Sequence, residues 1–289
     1  MEQHFATLIT GLTQGAVYSV FALGLALVYS TSRVLNFAHG SMYTAGAYLA
    51  WLLSAGWLGL SFVPLLIAVS VLMFVFGVAV ERIVVRPLRT RQNWKIATMI
   101  TTLGLALALD NLFLVLFGGT AKSMAPTFAS VIEIGELRIP LQSLFVFAVA
   151  LVTVIALQVL LSHTRLGRAM RAVSQDATGA AVVGIRANRI FAVSFGLSAV
   201  LAGIAAILLS PFYLVSPLAG WPPFLKAFVI VVFGGLGSIQ GVLYAAFILG
   251  IVEAFVISEL GATWTMPVWF IVLVLILMIR PRGLMGKWS

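Results

Sequence analysis

The sequence predicts an all-α polytopic membrane protein with about eight to nine transmembrane helices, some of them broken or short. Of its 289 residues, 62% are hydrophobic and 9% are charged, and the mean hydropathy is +1.14, well above the value of a soluble domain. Apolar runs of about 20 residues, the length that spans a hydrocarbon core, follow one another. They lack the two-residue alternation of barrel strands, so their backbone groups must pair within helices.

Nine apolar runs are predicted as spans. The first is too long for a cleaved signal and lacks a basic segment before it, so we expect it to be retained. No separate soluble domain fits between the runs, so residues 1–289 are expected to form one transmembrane domain. The predicted spans are 5–29, 37–58, 62–81, 94–117, 140–161, 190–210, 224–236, 240–259 and 266–280.

The net charge of +9 is concentrated between the spans. Loops 82–95 and 162–189 each carry five basic residues, and the tail RPRGLMGKWS adds Arg280, Arg282 and Lys287. The positive-inside rule places these segments in the cytoplasm and loop 118–139, whose charges balance, outside the cytoplasm. The basic residues lack the aromatic interleaving of a nucleic-acid surface.

If 37–58 is one full crossing, the N-terminus lies outside; if it is broken or re-entrant, the N-terminus can lie inside.

Two interrupted segments stand out among the spans. One contains the polar residues of NFAHGS, and the other is the short run 224–236, which follows WPP and leads into GGLGSIQG at 234–241. One such segment in each half of a polytopic chain indicates a solute path near the membrane midplane. The candidate pathway residues are Asn36, His39, Gly40, Ser41, Gly234, Gly235 and Gly237.

Both segments also have a purely structural interpretation. His39 can be a buried, hydrogen-bonded residue that braces nearby backbone, and Gly237 and Gly241 can share one face of a packed helix. The glycines do not form a phosphate loop, because no Gly-Lys-Ser/Thr sequence follows them.

Asp110 and Glu253 are the acidic residues deepest in the predicted spans. Intramembrane carboxylates cost about 2.5 to 3.5 kcal/mol on insertion scales and face protein or water, so both are candidate functional groups. The structural alternative for Asp110 is a packing hydrogen bond with Asn111 nearby. For Glu253, which lies nearer the outer end of its span, the alternative is hydration.

The loops between spans carry two local predictions. In loop 162–189, RAMRA, the cap candidate Asp176 and an Ala-rich stretch ending at Gly184 predict a short amphipathic helix outside the membrane. A partner surface explains the Ala/Gly pattern, whereas anionic head groups explain only the charge. In loop 118–139, the alternation of VIEIGELRI around Gly135 fits either a hairpin or a simple connector.

Four segments together carry a resemblance to a known family. GLTQGAVYSVFALGLALVYSTSRVLNFAHGSMYTAGAYLAW resembles the amino-terminal signature of the permease subunits of branched-chain amino acid ABC transporters. RAVSQDATGAAVVGI is similar to their coupling loop, VFGGLGSIQGVLYAAFILGIVEAF to their late Gly-rich span, and RPRGLMG to their C-terminal ending. Two positions depart from the family pattern: Ser41 replaces a common acidic residue, and Thr178-Gly179-Ala180 replaces a Glu-Ala-Ala-like element.

The resemblance implies a multi-pass permease of the bacterial inner membrane that has no catalytic role of its own. It implies a second, related permease, favouring a heterodimer, with two cytoplasmic ATPases that hydrolyse ATP and an extracytoplasmic solute-binding protein. It further implies a cytoplasmic C-terminus, and solutes that are branched-chain or other amino acids, urea, short amides or small aromatic acids. The residues implied to dock into an ATPase are Arg171, Asp176, Ala180, Gly184 and Ile185.

Two other functions remain open at this point. An ion-coupled secondary transporter or channel would need no ATPase and would pair charges within its spans. An intramembrane enzyme could use Ser41 and His39, but residues two apart on a helix point to different faces. No cofactor or metal is expected, since the chain has no cysteine and its three histidines are far apart in sequence.

Overall fold

A computed structural model describes residues 2–56, 58–134, 137–280 and 282–286. Within these ranges, seven helices are long and apolar enough to cross a membrane, and Trp221–Gly234 is a shorter apolar helix. The predicted all-α polytopic fold is therefore confirmed. The α-helices are α1 Glu2–Ser32, α2 His39–Trp51, α3 Phe62–Val80, α4 Trp94–Phe117, α5 Leu141–His163, α6 Arg165–Gln175, α7 Ala177–Val182, α8 Ala187–Leu209, α9 Trp221–Gly234, α10 Ile239–Leu260 and α11 Thr265–Ile279.

Short turns of other helix types extend several of these helices. A π-helical turn, Leu52–Gly56, continues α2, and Glu81–Val85 followed by the 3-10 turn Arg86–Thr90 continues α3. A further 3-10 turn, Ala262–Trp264, precedes α11. The predicted spans therefore match the helices closely, except that 37–58 is divided between an irregular start, α2 and the π-helical turn.

Helices α1 and α8 form the centre of the bundle. In their most apolar windows, 89% of the residues of α1 and 83% of those of α8 are buried, against 44% or less for the other five candidate spans. The two helices run antiparallel, and a Cβ atom added at Gly24 would lie 3.0 Å from the Ser198 carbonyl oxygen. Small residues permit this approach, as in other membrane helix pairs. The outer helices expose their apolar faces, which suits contact with lipid.

The two halves of the chain make the same packing contacts in opposite orientations. Helix α1 packs antiparallel against α10, where a Cβ at Gly15 would lie 2.9 Å from the Phe247 Cα. Helix α8 packs in the same way against α3, where a Cβ at Gly77 would lie 2.9 Å from the Gly196 Cα. Since α1 and α8 are antiparallel, α1–α3 and α8–α10 form an inverted pair, an arrangement found in many transport proteins.

Both inverted units contain an interrupted segment, as the sequence predicts. Residues 33–38 are irregular and lead into α2 with 13 residues, and residues 210–220 lead into α9 with 14 residues. Helices of this length span about 20 Å, short of the roughly 30 Å hydrocarbon core. Both begin in the interior of the bundle, because His39 contacts Phe21 of α1 and Trp221 contacts Asp110 of α4.

Helix α6, helix α7 and residues 282–286 lie at one end of the bundle, which we call the loop end. The other end, the hairpin end, carries strands β1 Val131–Ile134 and β2 Leu137–Pro140, which pair antiparallel. The hairpin interpretation of VIEIGELRI is therefore confirmed, although Gly135 and Glu136 lie outside the described residues, as does Lys287 of the tail. Residues 210–220 join the hairpin end through paired backbone bonds between Lys122 and Val215.

Candidate functional site

The irregular segment 33–38 is held in place by its own polar groups. The Asn36 side-chain oxygen accepts the Ala38 N–H at 3.1 Å, and the Phe37 N–H donates to the Thr102 hydroxyl at 3.2 Å. Asn36 is 1% exposed. An asparagine at this position satisfies backbone that has left the helix, which explains the polar interruption in an apolar region.

His39, the first residue of α2, is fully buried and joins the two central helices. One ring nitrogen, Nε2, lies 3.0 Å from the Phe21 carbonyl oxygen on α1, and the other, Nδ1, lies 3.2 Å from the Ser198 hydroxyl on α8. The ring stacks on Phe21 with a centroid distance of 4.4 Å. The bracing interpretation of His39 is thus the arrangement seen in this structure. Neither nitrogen contacts Ser41, so the serine-base pair of an enzyme is not formed among the described residues.

Asp110 joins the starts of both half-length helices. Its Oδ1 accepts the Ser41 hydroxyl of α2 at 2.7 Å, and its Oδ2 accepts the Trp221 indole N–H of α9 at 2.7 Å. Asp110 is 4% exposed, and the hydrogen bonds compensate for burying the carboxylate. Asp110 therefore makes packing hydrogen bonds between helices, as its structural interpretation predicts. Asn111 takes no part in them, because it is exposed and donates to the Leu107 carbonyl.

The backbones of α2 and α9 meet at Gly40 and Gly220. A Cβ atom added at Gly40 would lie 2.9 Å from the Gly220 carbonyl oxygen, and the Gly220 N–H donates to the Thr44 hydroxyl at 3.0 Å. Only glycine permits this approach. Four of the candidate pathway residues, Asn36 to Ser41, therefore gather where two helices begin inside the bundle.

The other three candidate pathway residues lie elsewhere. Gly234 ends α9, and Gly235 and Gly237 form the following turn with φ of 103° and 90°. This turn is at the loop end, about 20 Å along α9 from Trp221. Backbone bonds from Leu284 to Phe233 and from Met285 to Gly234 fix the tail against it. The predicted shared helix face of Gly237 and Gly241 is wrong, because Gly237 precedes α10 and Gly241 packs on Gly234 instead.

Glu253 forms a buried ion pair that the sequence analysis missed. The Lys226 ammonium of α9 lies 2.5 Å from Glu253 Oε1 of α10 and donates to the Tyr18 hydroxyl of α1 at 2.8 Å. Glu253 is 3% exposed, so the hydrated interpretation is wrong. The available signal was the single lysine within the apolar run FLKAFVIVVF, because a charged residue inside a span needs a partner.

Segment 164–186 at the loop end contains two helices rather than one. Asp176 separates them, and its side chain accepts the Thr178 N–H at 2.9 Å, so Asp176 caps α7 as predicted. Ala180 is 5% exposed and its carbonyl accepts the Ile185 N–H, while Gly184 ends the turn with φ of 84°. The Arg171 guanidinium donates to the Leu161 carbonyl at the end of α5.

The tip of this segment presents apolar side chains outward. Val182 is 84% exposed and Val183 is 74% exposed. Since the two side chains are adjacent and lie beyond the end of α5 and the start of α8, they form an apolar surface suited to a partner protein. Across the described residues, His, Asp and Glu form no cluster of three that could hold a metal ion.

Comparison with known proteins identifies the family. The family model described as branched-chain amino acid transport system, permease component, matches residues 7–279. The chain belongs to this family. The permease is 32% identical to the high-affinity branched-chain amino acid transport system permease protein BraD of Pseudomonas aeruginosa, over 97% of this chain and 95% of BraD.

Two further comparisons accompany this match. The permease is 29% identical to the corresponding protein LivH of Escherichia coli, over 97% of this chain and 94% of LivH. Among solved structures, PsaBC from Streptococcus pneumoniae in complex with Fab is similar at a TM-score of 0.48 and 13% identity, over 97% of this chain and 91% of that one. The family and the helices identify the permease as a multi-pass inner-membrane component of an ABC transporter complex.

Proposed function

We propose that the permease forms half of the translocation pathway of an ABC importer for branched-chain or other hydrophobic amino acids. The similarity to BraD and LivH, both named as branched-chain amino acid transport permeases, supports this solute class. In the proposed complex, a second related permease completes the pathway and an extracytoplasmic binding protein delivers the solute. Two cytoplasmic ATPases hydrolyse ATP, so the permease itself is not an enzyme.

The observation that carries the proposal is the meeting of two half-length helices inside the bundle. Helices α2 and α9 belong to inverted units, and interrupted helices of such units commonly form solute sites near the midplane. Their starts are held together by Gly40, Gly220 and the bonds of Ser41 and Trp221 to Asp110. In the proposed cycle these contacts separate, and Asn36, His39, Gly40 and Ser41 then line the route.

The turn at Gly234, Gly235 and Gly237 is proposed as the cytoplasmic end of the route. The positive φ values of Gly235 and Gly237 turn the chain at the end of α9, and backbone hydrogen bonds join this end of the helix to residues 282–286. Movement of the loop end can therefore reach the start of α9 through one rigid helix. The proposed C-terminus is cytoplasmic, and the basic tail supports this orientation.

Segment 164–186 is proposed as the coupling element that docks into an ATPase groove. Asp176 and Gly184 set the two ends of α7, and Arg171 fixes α6 to the end of α5. Ala180 and Ile185 form the packed base of the turn, and the exposed valines at its tip suit an apolar groove. The adjacent arginines also suit anionic lipid head groups at the cytoplasmic surface.

Co-purification tests this assembly. Mild detergent extracts would be captured through a tag on the permease, the bound proteins identified, and ATPase activity measured. We expect two ATPases and a second permease to be recovered, and ATPase stimulation by solute-loaded binding protein to be lost in an Arg171→Ala, Gly184→Ala double variant. Recovery of the permease alone from several mild detergents would contradict the proposal.

A second candidate, an ion-coupled transporter, is favoured by one observation. It requires paired charges within the spans, and Lys226 and Glu253 form such a pair. The two functions differ in energy source. Uptake of solute by liposomes that contain the permease without ATPases, driven by an ion gradient, would support the second candidate. Uptake that requires the ATPases, with ATP on the side of the membrane that they face, would reject it.

A further inference from the structure

A cavity of about 270 Å³ lies near the hairpin end, between α1, α2, residues 210–220 and the first turns of α9. Its polar lining consists mainly of three tyrosines and one lysine, and most of the remaining wall is apolar. The polar residues are Tyr18, Tyr43, Tyr213, Ser216 and Lys226, and the apolar ones include Leu209, Leu214, Leu218 and Pro222. A small chamber of this composition suits a small solute that has both a charged and an apolar part.

Lys226 is the charged group of this cavity. It is 8% exposed, and a lysine within a span costs about 2.5 to 3.5 kcal/mol on insertion scales. An ammonium group has three N–H donors. Among the described residues, two acceptors are found for them, Glu253 Oε1 and the Tyr18 hydroxyl. One donor is left for a ligand in the cavity.

The start of α9 does not supply an anion site through its backbone. The Trp221 N–H donates to the Leu218 carbonyl, the Phe224 N–H donates to the Gly220 carbonyl, and Pro222 and Pro223 have no N–H. A helix N-terminus ordinarily binds anions through such groups. Here Lys226, one turn into the helix, provides the positive charge instead.

We propose that this cavity binds the amino acid solute, with the solute carboxylate at Lys226. The tyrosine rings receive the solute ammonium group through their faces, and the leucine and proline wall packs against its aliphatic side chain. This inference rests on the proposed function and defines its solute class further. A carboxylate is required, so amino acids and other carboxylic acids fit this site, whereas urea and short amides do not.

Glu253 gives the empty site a stable arrangement. A buried lysine without a partner is strongly unfavourable, and Glu253 provides that partner between transport events. Glu253 Oε2 has no hydrogen-bond partner among the described residues, so only one carboxylate oxygen holds the lysine. The solute carboxylate takes the remaining donor, but it shares the positive charge of the ammonium group with Glu253, and this sharing favours weak, reversible binding.

Direct ligand binding to the assembled transporter tests the proposal. The complex would be placed in lipid nanodiscs without binding protein, and L-leucine or L-leucinamide would be added in increasing concentration. Binding is measured as the rise in the unfolding temperature of the complex. The variants are Lys226→Met with Glu253→Gln, which removes both charges, and Glu253→Gln alone as the matched control, which keeps the lysine. We expect the wild-type complex and the control to bind leucine in preference to leucinamide.

In the double variant, we expect leucine to bind about tenfold more weakly, with little change for leucinamide, since one charged hydrogen bond is lost. Equal leucine binding by wild type and double variant, or no binding of leucine by the wild type, would overturn the proposal. If the double variant does not assemble, the Glu253→Gln variant alone tests the proposal. Because this substitution removes the negative charge beside Lys226, leucine should bind several-fold more tightly. Unchanged or weaker binding of leucine would overturn the proposal.

Transport measurements distinguish the proposed Lys226 site from the proposed importer function on which it rests. ATP-driven leucine uptake by the wild type, together with unchanged leucine binding by the double variant, would reject the Lys226 site and leave the importer function intact. A wild-type complex that transports no amino acid would reject the importer function itself.

Discussion

Oδ2 of Asp110 on α4 accepts a 2.7 Å hydrogen bond from the indole N–H of Trp221, the first residue of α9. Oδ1 of the same carboxylate accepts the hydroxyl of Ser41, near the start of α2. One buried carboxylate therefore joins the two interrupted helices of the inverted units. Loss of this carboxylate would remove one hydrogen bond from each helix start.

Substitution of Asp110 should weaken this junction. In Asp110→Asn, an N–H₂ group replaces one acceptor and faces a donor, so we expect the free energy of unfolding to fall by about 1 to 3 kcal/mol. Thermal unfolding of the detergent-solubilised permease measures the change. Asn111→Ala, at the exposed neighbour, is the control and should stay within about 0.5 kcal/mol of wild type. Equal stability of Asp110→Asn and wild type would contradict the assigned role.

Close packing between α2 and α8 predicts a second effect. A Cβ atom added at Gly46 would lie 2.7 Å from the Gly203 Cα, so the backbones must separate in Gly46→Ala. Overpacking of this kind costs about 1 to 3 kcal/mol. In the control Gly104→Ala, the new Cβ has no atom within 4 Å apart from its chain neighbours and the nearby backbone of its own helix, and stability should be retained. Unfolding midpoints that fall equally in both variants would argue against the α2–α8 contact.

Most of the helix bundle could be predicted from hydropathy, but the pairing of polar groups could not. The run 94–117 coincides with α4, because its ends lie at Asn93 and Gly118, where the chain leaves the helix. The Asp110–Trp221 bond joins residues 111 apart, and no periodicity links their helices. Glu253 stands out in the sequence as an acidic residue within a span, but its contact with Lys226 depends on the packing of α9 against α10.

The cap of α7 predicts an effect on coupling. Asp176→Ala removes the acceptor for the Thr178 N–H and should destabilise this six-residue helix by about 1 kcal/mol. We expect the ATPase of the assembled complex to respond less to solute-loaded binding protein, while the basal ATPase rate persists. Asp176→Asn retains a capping oxygen and should restore most of the response. A full response in Asp176→Ala would show that capping is not needed for coupling.

The interrupted start of α2 predicts an effect on transport. Asn36→Ala and His39→Ala each remove buried hydrogen bonds, and each bond is worth about 1 kcal/mol. A loss of this size changes the ratio of the closed arrangement, in which the starts of α2 and α9 are in contact, to the open one several-fold. We expect lower initial rates of solute uptake with unchanged recovery of the partner subunits. His163→Ala, at the exposed end of α5, is the control. Normal uptake by both variants would reject the pathway role.

ATP-dependent uptake tests the central claim most directly. The permease and its co-purified partners would be reconstituted in liposomes, and accumulation of radiolabelled L-leucine measured with solute-binding protein, with and without ATP. We expect accumulation only when both ATP and the binding protein are present. Accumulation that is independent of ATP, or an absence of leucine accumulation under all of these conditions, would contradict it.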